Sequence, residues 1–259
     1  MKKMTCVLSM MAVAALAASI TLAGAPGGGG MGGGVGGGAG GDAGRGRGAG
    51  GAAGGAARGP APTLKTPATP TATPDEDGFI TRWILLEPIT GAQGTADNAV
   101  QAMVKKEYFD GQFTVVPHDG DKVNVNGAEL AWHAYDTSRF DVNLYHFAFA
   151  LGRPTENVLF WAVTVVNSPE EMKDVRLAIG SNDASVWWLN GQDVVGIYGD
   201  RQISIDDGVS KRLTLKRGPN VIRLAVHNQR GATDFCARFL DKDDNPIKNL
   251  TVSLSADGK

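Results

Sequence analysis

Two adjacent tryptophans, Trp187 and Trp188, stand just after an Asn182-Asp183 pair, and a polar run, His227-Asn228-Gln229-Arg230, ends a later apolar stretch. An indole offers a flat apolar face, while amides, carboxylates and guanidinium groups trade hydrogen bonds with hydroxyls. Together they suit the holding of a polyhydroxylated ring rather than bond cleavage. Side chains alternate along a strand, so the two indoles point to opposite faces; one can anchor a core and the other needs a second use. The ligand-contact set read from the sequence is Trp188, Asn182, Asp183, Tyr198, Arg201, His227, Asn228 and Arg230. Each has a plainer reading beside it. Both indoles can be packing residues, the commoner use of an aromatic side chain. Asn182 and Asp183 can bond their own turn. The 227–230 run can be a solvated loop, although loops on a rigid scaffold often carry function.

Catalysis finds no comparable set. There is no G-x-S-x-G elbow, no H-E-x-x-H helix, and no Cys/His cluster at metal-ligand spacing. His118, His133, His146 and His227 are scattered, and nothing selects a working pair among Glu87, Glu129 and Glu156. Cys236, inside an apolar strand, reads as a buried small residue. The expectation is a protein that is not an enzyme and has no cofactor and no assigned metal ligands. Asp119, Asp121, Asp206, Asp207, Asp241, Asp243 and Asp244 offer oxygens of the kind a structural calcium takes. The run DKDDNP (241–246) lacks EF-hand spacing and reads as an acidic turn.

The elements that must position these residues are mostly strands. Val175, Leu177 and Ile179 lead into the polar corner Gly180-Ser181-Asn182-Asp183. A second strand carries Val186 to Leu189 and ends at Asn190-Gly191, a pair suited to the positive φ angles of a tight hairpin. A third runs from Asp193 to Tyr198. Further strands are expected over 79–89, 112–116, 123–125, 128–135, 144–151, 157–167, 212–215, 221–228, 235–240 and 250–254. Leu130, Trp132 and Ala134 share one face of theirs. One helix is expected, 95–108, capped by Thr95 with Val100, Met103, Val104 and Tyr108 on one side. Many short strands without recurring helices point to an all-β antiparallel jelly-roll sandwich with one short N-terminal helix.

Several short patterns then combine: W-x-x-L-x-P (Trp83, Leu86, Pro88), Trp132 to Tyr135, G-S-x-D followed by W-L-N-G (Trp188 to Gly191), and L-x-x-G-x-N-x-I (Leu215 to Ile222). They resemble the galactose-binding-like β-sandwich family attached to many secreted glycoside hydrolases and esterases. The resemblance covers roughly residues 78–254. It implies carbohydrate binding without catalysis, with Trp187 and Leu189 facing the core and Trp188 on the opposite face beside Val186. The chain departs from the family at Asn182-Asp183-Ala184, where D-D-G is commoner, which puts the corner geometry in question.

Composition divides the chain. Residues 1–25 read as a signal peptide: Lys2 and Lys3, an apolar run from Val7 to Leu22, then small residues with cleavage after Ala23. Residues 26–77 read as a disordered tether, because 21 of the 36 glycines lie between Gly24 and Gly59 and a Pro/Thr/Ala stretch follows. Residues 78–256 are the expected sandwich domain. Residues 75–259 carry 19 Lys and Arg against 26 Asp and Glu, a net charge of −7, which disfavours nucleic acid and anionic membranes as partners. The leader places the chain in a secreted, periplasmic or cell-surface setting. Cys236 lies alone beyond the leader, so the core holds without an internal disulfide. The expected partner is a carbohydrate in a polysaccharide or cell-envelope setting, or beside a separate carbohydrate-active enzyme. The alternative is a structural or protein-interaction domain of the envelope.

Overall fold

The computed structural model describes residues 64–94, 97–199 and 201–256. The expected signal peptide and residues 26–63 of the expected tether lie outside these residues, as does the Thr95 cap. Strands β1 (Thr71–Ala72), β2 (Arg82–Leu86) and β3 (Ile89–Thr90) precede helix α1 (Asp97–Lys105). Then come β4 (Lys122–Val125), β5 (Ala128–Asp136), β6 (Val142–Asn143) and helix α2 (Leu144–Ala150). The long central strands are β7 (Val158–Ser168), β8 (Met172–Ser181), β9 (Ser185–Leu189) and β10 (Gln192–Ile197). The chain closes with β11 (Gly208–Val209), β12 (Leu213–Leu215), β13 (Gly218–Asn228), β14 (Asp234–Leu240) and β15 (Thr251–Ser253).

All the pairings are antiparallel, so the expected all-β sandwich forms. One sheet runs in the order β10-β9-β13-β7-β2-β5-β4, with β3 and β15 also on β7 and β1 on β15. The other runs β11-β8-β14-β6, with β12 on β8. The hairpin turns follow their sequence chemistry. Asn126-Gly127 takes φ values of 52° and 85°, and Asn190-Gly191 takes 51° and 82°, the left-handed pair that a two-residue hairpin needs.

The larger sheet is apolar on both faces. Its inner face packs Trp83, Phe160, Trp187, Leu189 and Leu224 against Leu177, Ile179, Phe235 and Phe239 of the smaller sheet. Its outer face carries Ile84, Trp161, Val163, Val186 and Trp188, roofed by α1 and the segment after it. The alternation expected for Trp187 and Trp188 is therefore correct, but both indoles are buried, at 0 % and 6 % exposure. Trp188 stacks on Trp161 (centroids 5.3 Å apart, planes at 16°), and Phe113 stands edge-on to both at 5.5 Å. With both its environment and its rim occupied, Trp188 offers no plane to a ligand. That part of the sequence expectation is corrected: the second indole anchors a second core.

Three expected elements differ from those that form. Residues 112–116 are not a strand. Gly111 has a φ of 79°, and the chain turns there so that Phe113 can dip onto the tryptophan pair. The Gln112 amide locks this turn, accepting from the Tyr108 N–H at 2.7 Å and donating to the Lys106 carbonyl at 2.8 Å. Arg223, buried on the same face, donates to the Val115 carbonyl at 3.0 Å, and burial lowers its guanidinium pKa. Residues 144–150 form α2 rather than a strand. The Asn143 side chain accepts from the His146 N–H at 2.7 Å, capping the helix, and Leu144, Phe147 and Ala148 bury one face of it. Finally, the end of the expected tether belongs to the fold. Leu64 packs on the main core, Thr71 and Ala72 pair with Ser253 and Val252, and Arg82 holds the Thr69 carbonyl at 2.6 Å while gripping Asp136 with two bonds of 2.8 Å.

Because Trp188 is a core residue, Trp188→Ala should act on stability first. Removing a buried indole leaves a cavity, and the expected loss is about 3–5 kcal/mol, with Phe113→Ala next in severity. Thermal unfolding of the two variants checks the order; a Trp188→Ala protein as stable as the native one would contradict the second core.

Candidate functional site at one pole of the sandwich

The strands have two poles, and one of them collects the residues singled out in the sequence. Strand β8 ends there at Ser181, β9 starts at Ser185, β10 ends at Ile197, β13 ends at Asn228 and β14 starts at Asp234. The ladders align these ends: Ser185 opposes Ile197 and Val226, Phe235 opposes Ser181, and Asn228 opposes Val158. Asn182, Asp183, Tyr198, Arg201, His227, Asn228 and Arg230 all fall on these termini and their loops. Trp188 lies three residues inside.

The corner between β8 and β9 is built by close backbone approach. A Cβ on Gly180 would meet the Ser204 carbonyl oxygen at 2.1 Å, so only glycine lets the 201–206 segment lie against the strand. The bend itself falls on Asp183, with a φ of 58°, and not on the next position, where the related pattern has glycine. Aspartate tolerates this region better than most side chains, which is how Ala184 can stand there buried. Ser181 Oγ donates to the Asp183 carbonyl at 3.0 Å, the Asp183 N–H bonds the Arg201 carbonyl at 3.3 Å, and Asp183 Oδ2 accepts from the Gln229 N–H at 3.2 Å. Gly180→Ala should therefore cost about 2 kcal/mol or more in unfolding free energy, read by denaturant titration; an unchanged midpoint would refute the close approach.

A pocket of about 200 Å³ opens beside the corner, lined by Gly94, Asp97, Val100, Asp183, Ala184, Gly199, His227 and Gln229. Val100 and Ala184 give it an apolar floor. His227 is 3 % exposed, and its Nε2 lies 2.9 Å from the Ala92 carbonyl oxygen. A carbonyl only accepts, so Nε2 carries the hydrogen, and in the neutral ring Nδ1 is then an acceptor. Asp97, Asp183 and Gln229 complete a ring of acceptors and amide groups at the mouth. Their bonding chemistry suits hydroxyls.

Other members of the expected set serve the scaffold. Arg201 pairs with Asp207. The Asn228 amide donates to the Thr155 carbonyl at 2.5 Å and is fully buried, tying the loop before β7 to β13. Tyr198 is half-buried against the outer core, and burial raises its hydroxyl pKa. Arg230 is exposed.

One buried acid at this pole was not in the set. Asp234 lies 9 % exposed at the start of β14, with Oδ1 buried and unpartnered. Burial first, then the neighbouring Asp141 carboxylate, pushes its pKa up to about 6. In the sequence it looked like one more loop aspartate; its position at the first residue of a strand after Gly231 was the available signal. The folded protein holds this proton at pH values where the unfolded chain has lost it. Stability contributed by the protonated form is therefore lost as pH rises from about 4 to about 6. Asp234→Asn should stabilise the protein at pH 7, on the order of 1–3 kcal/mol, and leave it near the native value at pH 4. Melting curves at the two pH values test this; equal shifts at both would overturn it.

The carboxylates considered for catalysis lie elsewhere. Glu87 is buried and locked by Arg153 at 2.6 Å and the Ala131 N–H at 3.3 Å, with His133 at 3.4 Å. Glu129 pairs with Lys122 on the surface, and Glu156 is exposed. Asp241 accepts from the Asp243 and Asn245 N–H groups at 2.9 and 2.8 Å, the acidic turn expected from DKDDNP. A larger and more open depression, about 520 Å³, lies at the other pole between Met172, Val175, Ile247 and exposed lysines. None of the expected contact residues lines it. Among the described residues no group of three or more His, Cys, Asp or Glu is placed to hold a metal ion, and no helix is long and apolar enough to cross a membrane. Cys236 is buried, and burial pushes its thiol up to about 12.

No family model matches the chain. No curated protein matches it either. Among solved structures it is similar to a PA14 sugar-binding domain from an RTX adhesin, with TM-score 0.37 and 12 % identity over 66 % of this chain and 96 % of that one. A PA14 domain of the MpAFP antifreeze protein gives TM-score 0.38 and 13 % identity, covering 73 % of this chain and 96 % of that one. The A domain of epithelial adhesin 9 from Candida glabrata, solved with Galb1-4GlcNAc, gives 0.39 and 9 %, covering 76 % and 96 %. Likeness at these scores is too loose to assign a family or a function.

Proposed function

We propose that the chain is an exported, non-catalytic carbohydrate-binding module, and that its site is the polar pocket at the 182–184 corner rather than the Trp188 plane. The observation that carries this reading is the convergence of Asp97, Asp183, His227 and Gln229 on one small cavity with an apolar floor. A few fixed polar groups over apolar surface is the usual make-up of a small-molecule site, although this cavity is below the common range of about 300–1,000 Å³. Its size fits one sugar residue at the end or side of a longer glycan. Export rests on the residue 1–25 pattern, and the galactose-binding-like assignment rests on the sequence motifs. A binding role also accords with the way Glu87 is tied into the scaffold by Arg153 and the Ala131 N–H, away from the pocket.

Affinity electrophoresis of the full chain against xylan, β-1,4-galactan, mannan, laminarin, dextran and polygalacturonate tests the proposal. At least one polymer should retard the native protein. Asp183→Asn, which keeps a residue tolerant of the left-handed bend, and Gln229→Ala should each weaken that retardation roughly tenfold with little change in melting temperature. Retardation by none of the polymers, or retention of full binding in both variants, would remove this function from the pocket.

A second reading has its own support. Ile205 and Val209 are 47 % and 39 % exposed beside the edge strand β11. An apolar sheet edge of this kind is where a protein partner can add to the fold, so an envelope interaction domain is the alternative if no glycan binds.

A further inference from the structure

We propose that the ring pair of half-buried Tyr145 and exposed Phe149 on α2 is the stacking surface on which this pole receives a pyranose ring of its glycan. The proposal rests on the carbohydrate reading above and supplies the aromatic plane that Trp188 does not.

Helix α2 buries Leu144, Phe147 and Ala148 and turns Tyr145 and Phe149, one helical turn apart, away from the core. The two rings are nearly parallel, with planes at 7° and centroids 6.3 Å apart. The pair is stacked, and Phe149 is the more exposed of the two rings. Among the described residues four large apolar side chains are exposed by more than a third, and Phe149, at 38 %, is the aromatic one. The part of that ring left in water costs hydrophobic free energy that its stacking on Tyr145 recovers only in part.

The helix is held firmly enough to present a plane. The Leu144 and Tyr145 N–H groups both bond the Thr233 carbonyl, at 2.8 and 3.2 Å, and Asn143 caps the first turn. Thr233 precedes Asp234, whose carbonyl accepts from the Asn182 N–H at 2.9 Å. Two short links thus join the ring pair to the corner that shapes the polar pocket. Beside the rings stands a group that bonds hydroxyls, His146, exposed and 6.2 Å from the Tyr145 ring.

The dimensions favour a sugar over a protein. A stable protein interface needs roughly 800 Å² from each partner, whereas two rings on one turn of helix, bordered by exposed His146 and Arg153, amount to a small fraction of that. A pyranose has one face of C–H groups and a rim of hydroxyls, and it matches a small plane with a polar border.

The test uses the full chain and the same six polysaccharides, with Tyr145→Ala, Phe149→Ala and Phe149→Trp beside Asp183→Asn. On the polymer that retards the native protein, Phe149→Ala should bind roughly tenfold more weakly and Tyr145→Ala at least threefold, while Phe149→Trp binds as well as the native protein or better. Melting temperatures should stay within a few degrees, since Phe149 is exposed and Tyr145 is only half-buried. If both alanine variants bind like the native chain while Asp183→Asn is impaired, the platform is refuted and the pocket stands. If Asp183→Asn binds normally and the ring variants fail, the platform stands and the pocket is refuted. If the native protein binds none of the six, both fall.

Discussion

The structure depends on the need to cover the outer face of the larger sheet. Strands β7, β9 and β13 are apolar on both sides, and Trp161 and Trp188 lie flat against each other on the side away from the sandwich interior. Left bare, that face would expose two indoles and a row of β-branched side chains. The chain meets this by laying α1 and the 106–117 turn over it, with Phe113 as the central plug and Arg223 reaching up to the Val115 carbonyl. The result is three layers rather than two. Two apolar cores share one sheet, and neither helix lies between the sheets.

This covering shapes the pole that carries the small pocket. Because α1 sits on the outer face near the ends of β9 and β13, its first turn brings Asp97 and Val100 over the β8–β9 corner. The pocket is the seam where the roof meets the corner. The corner in turn depends on two residues with opposite demands. Gly180 lacks a side chain because Ser204 lies where one would be, and Asp183 has a side chain that also tolerates the left-handed bend. The buried Asp234 and the Asn182 amide then connect this corner to α2.

Much of the architecture was legible in the sequence. Asn-Gly pairs fixed two hairpins, period-two alternation located most of the strands, and the odd–even placement of Trp187 and Trp188 on opposite faces is correct. The fate of Trp188 was not legible from its own strand, since alternation says which way a side chain points and not what covers it. The clue lay in β7, where LFWAVTVV has no polar face at all, as expected for a strand buried on both sides. Helix α2 was missed because LYHFAFA is short and aromatic and suits either state. Its decision came from the Asn143 cap, a single residue outside the apolar run. The polar residues of the pole were found as loop residues, but Asn228 and Arg201 turned inward because nearby carbonyl and carboxylate groups, distant in sequence, claimed them. Asp234 escaped notice because burial, its distinguishing property, arises only when three separate loops come together.

The Arg82 clamp has a mechanical consequence. Lys65, Thr69 and Thr71 attach beside Asp136, Arg82 and Ser253, toward the β7 terminus at Ser168, whereas the pocket lies toward Val158. The upstream chain therefore joins the sandwich at the end remote from the pocket. Tension between that attachment and a ligand held at the far end would run along the strands and load the β7–β13 ladder in shear, with its eleven paired positions sharing the force. The Arg82 bond to the Thr69 carbonyl and the β1–β15 pairs would be loaded first, before any long strand is asked to slide.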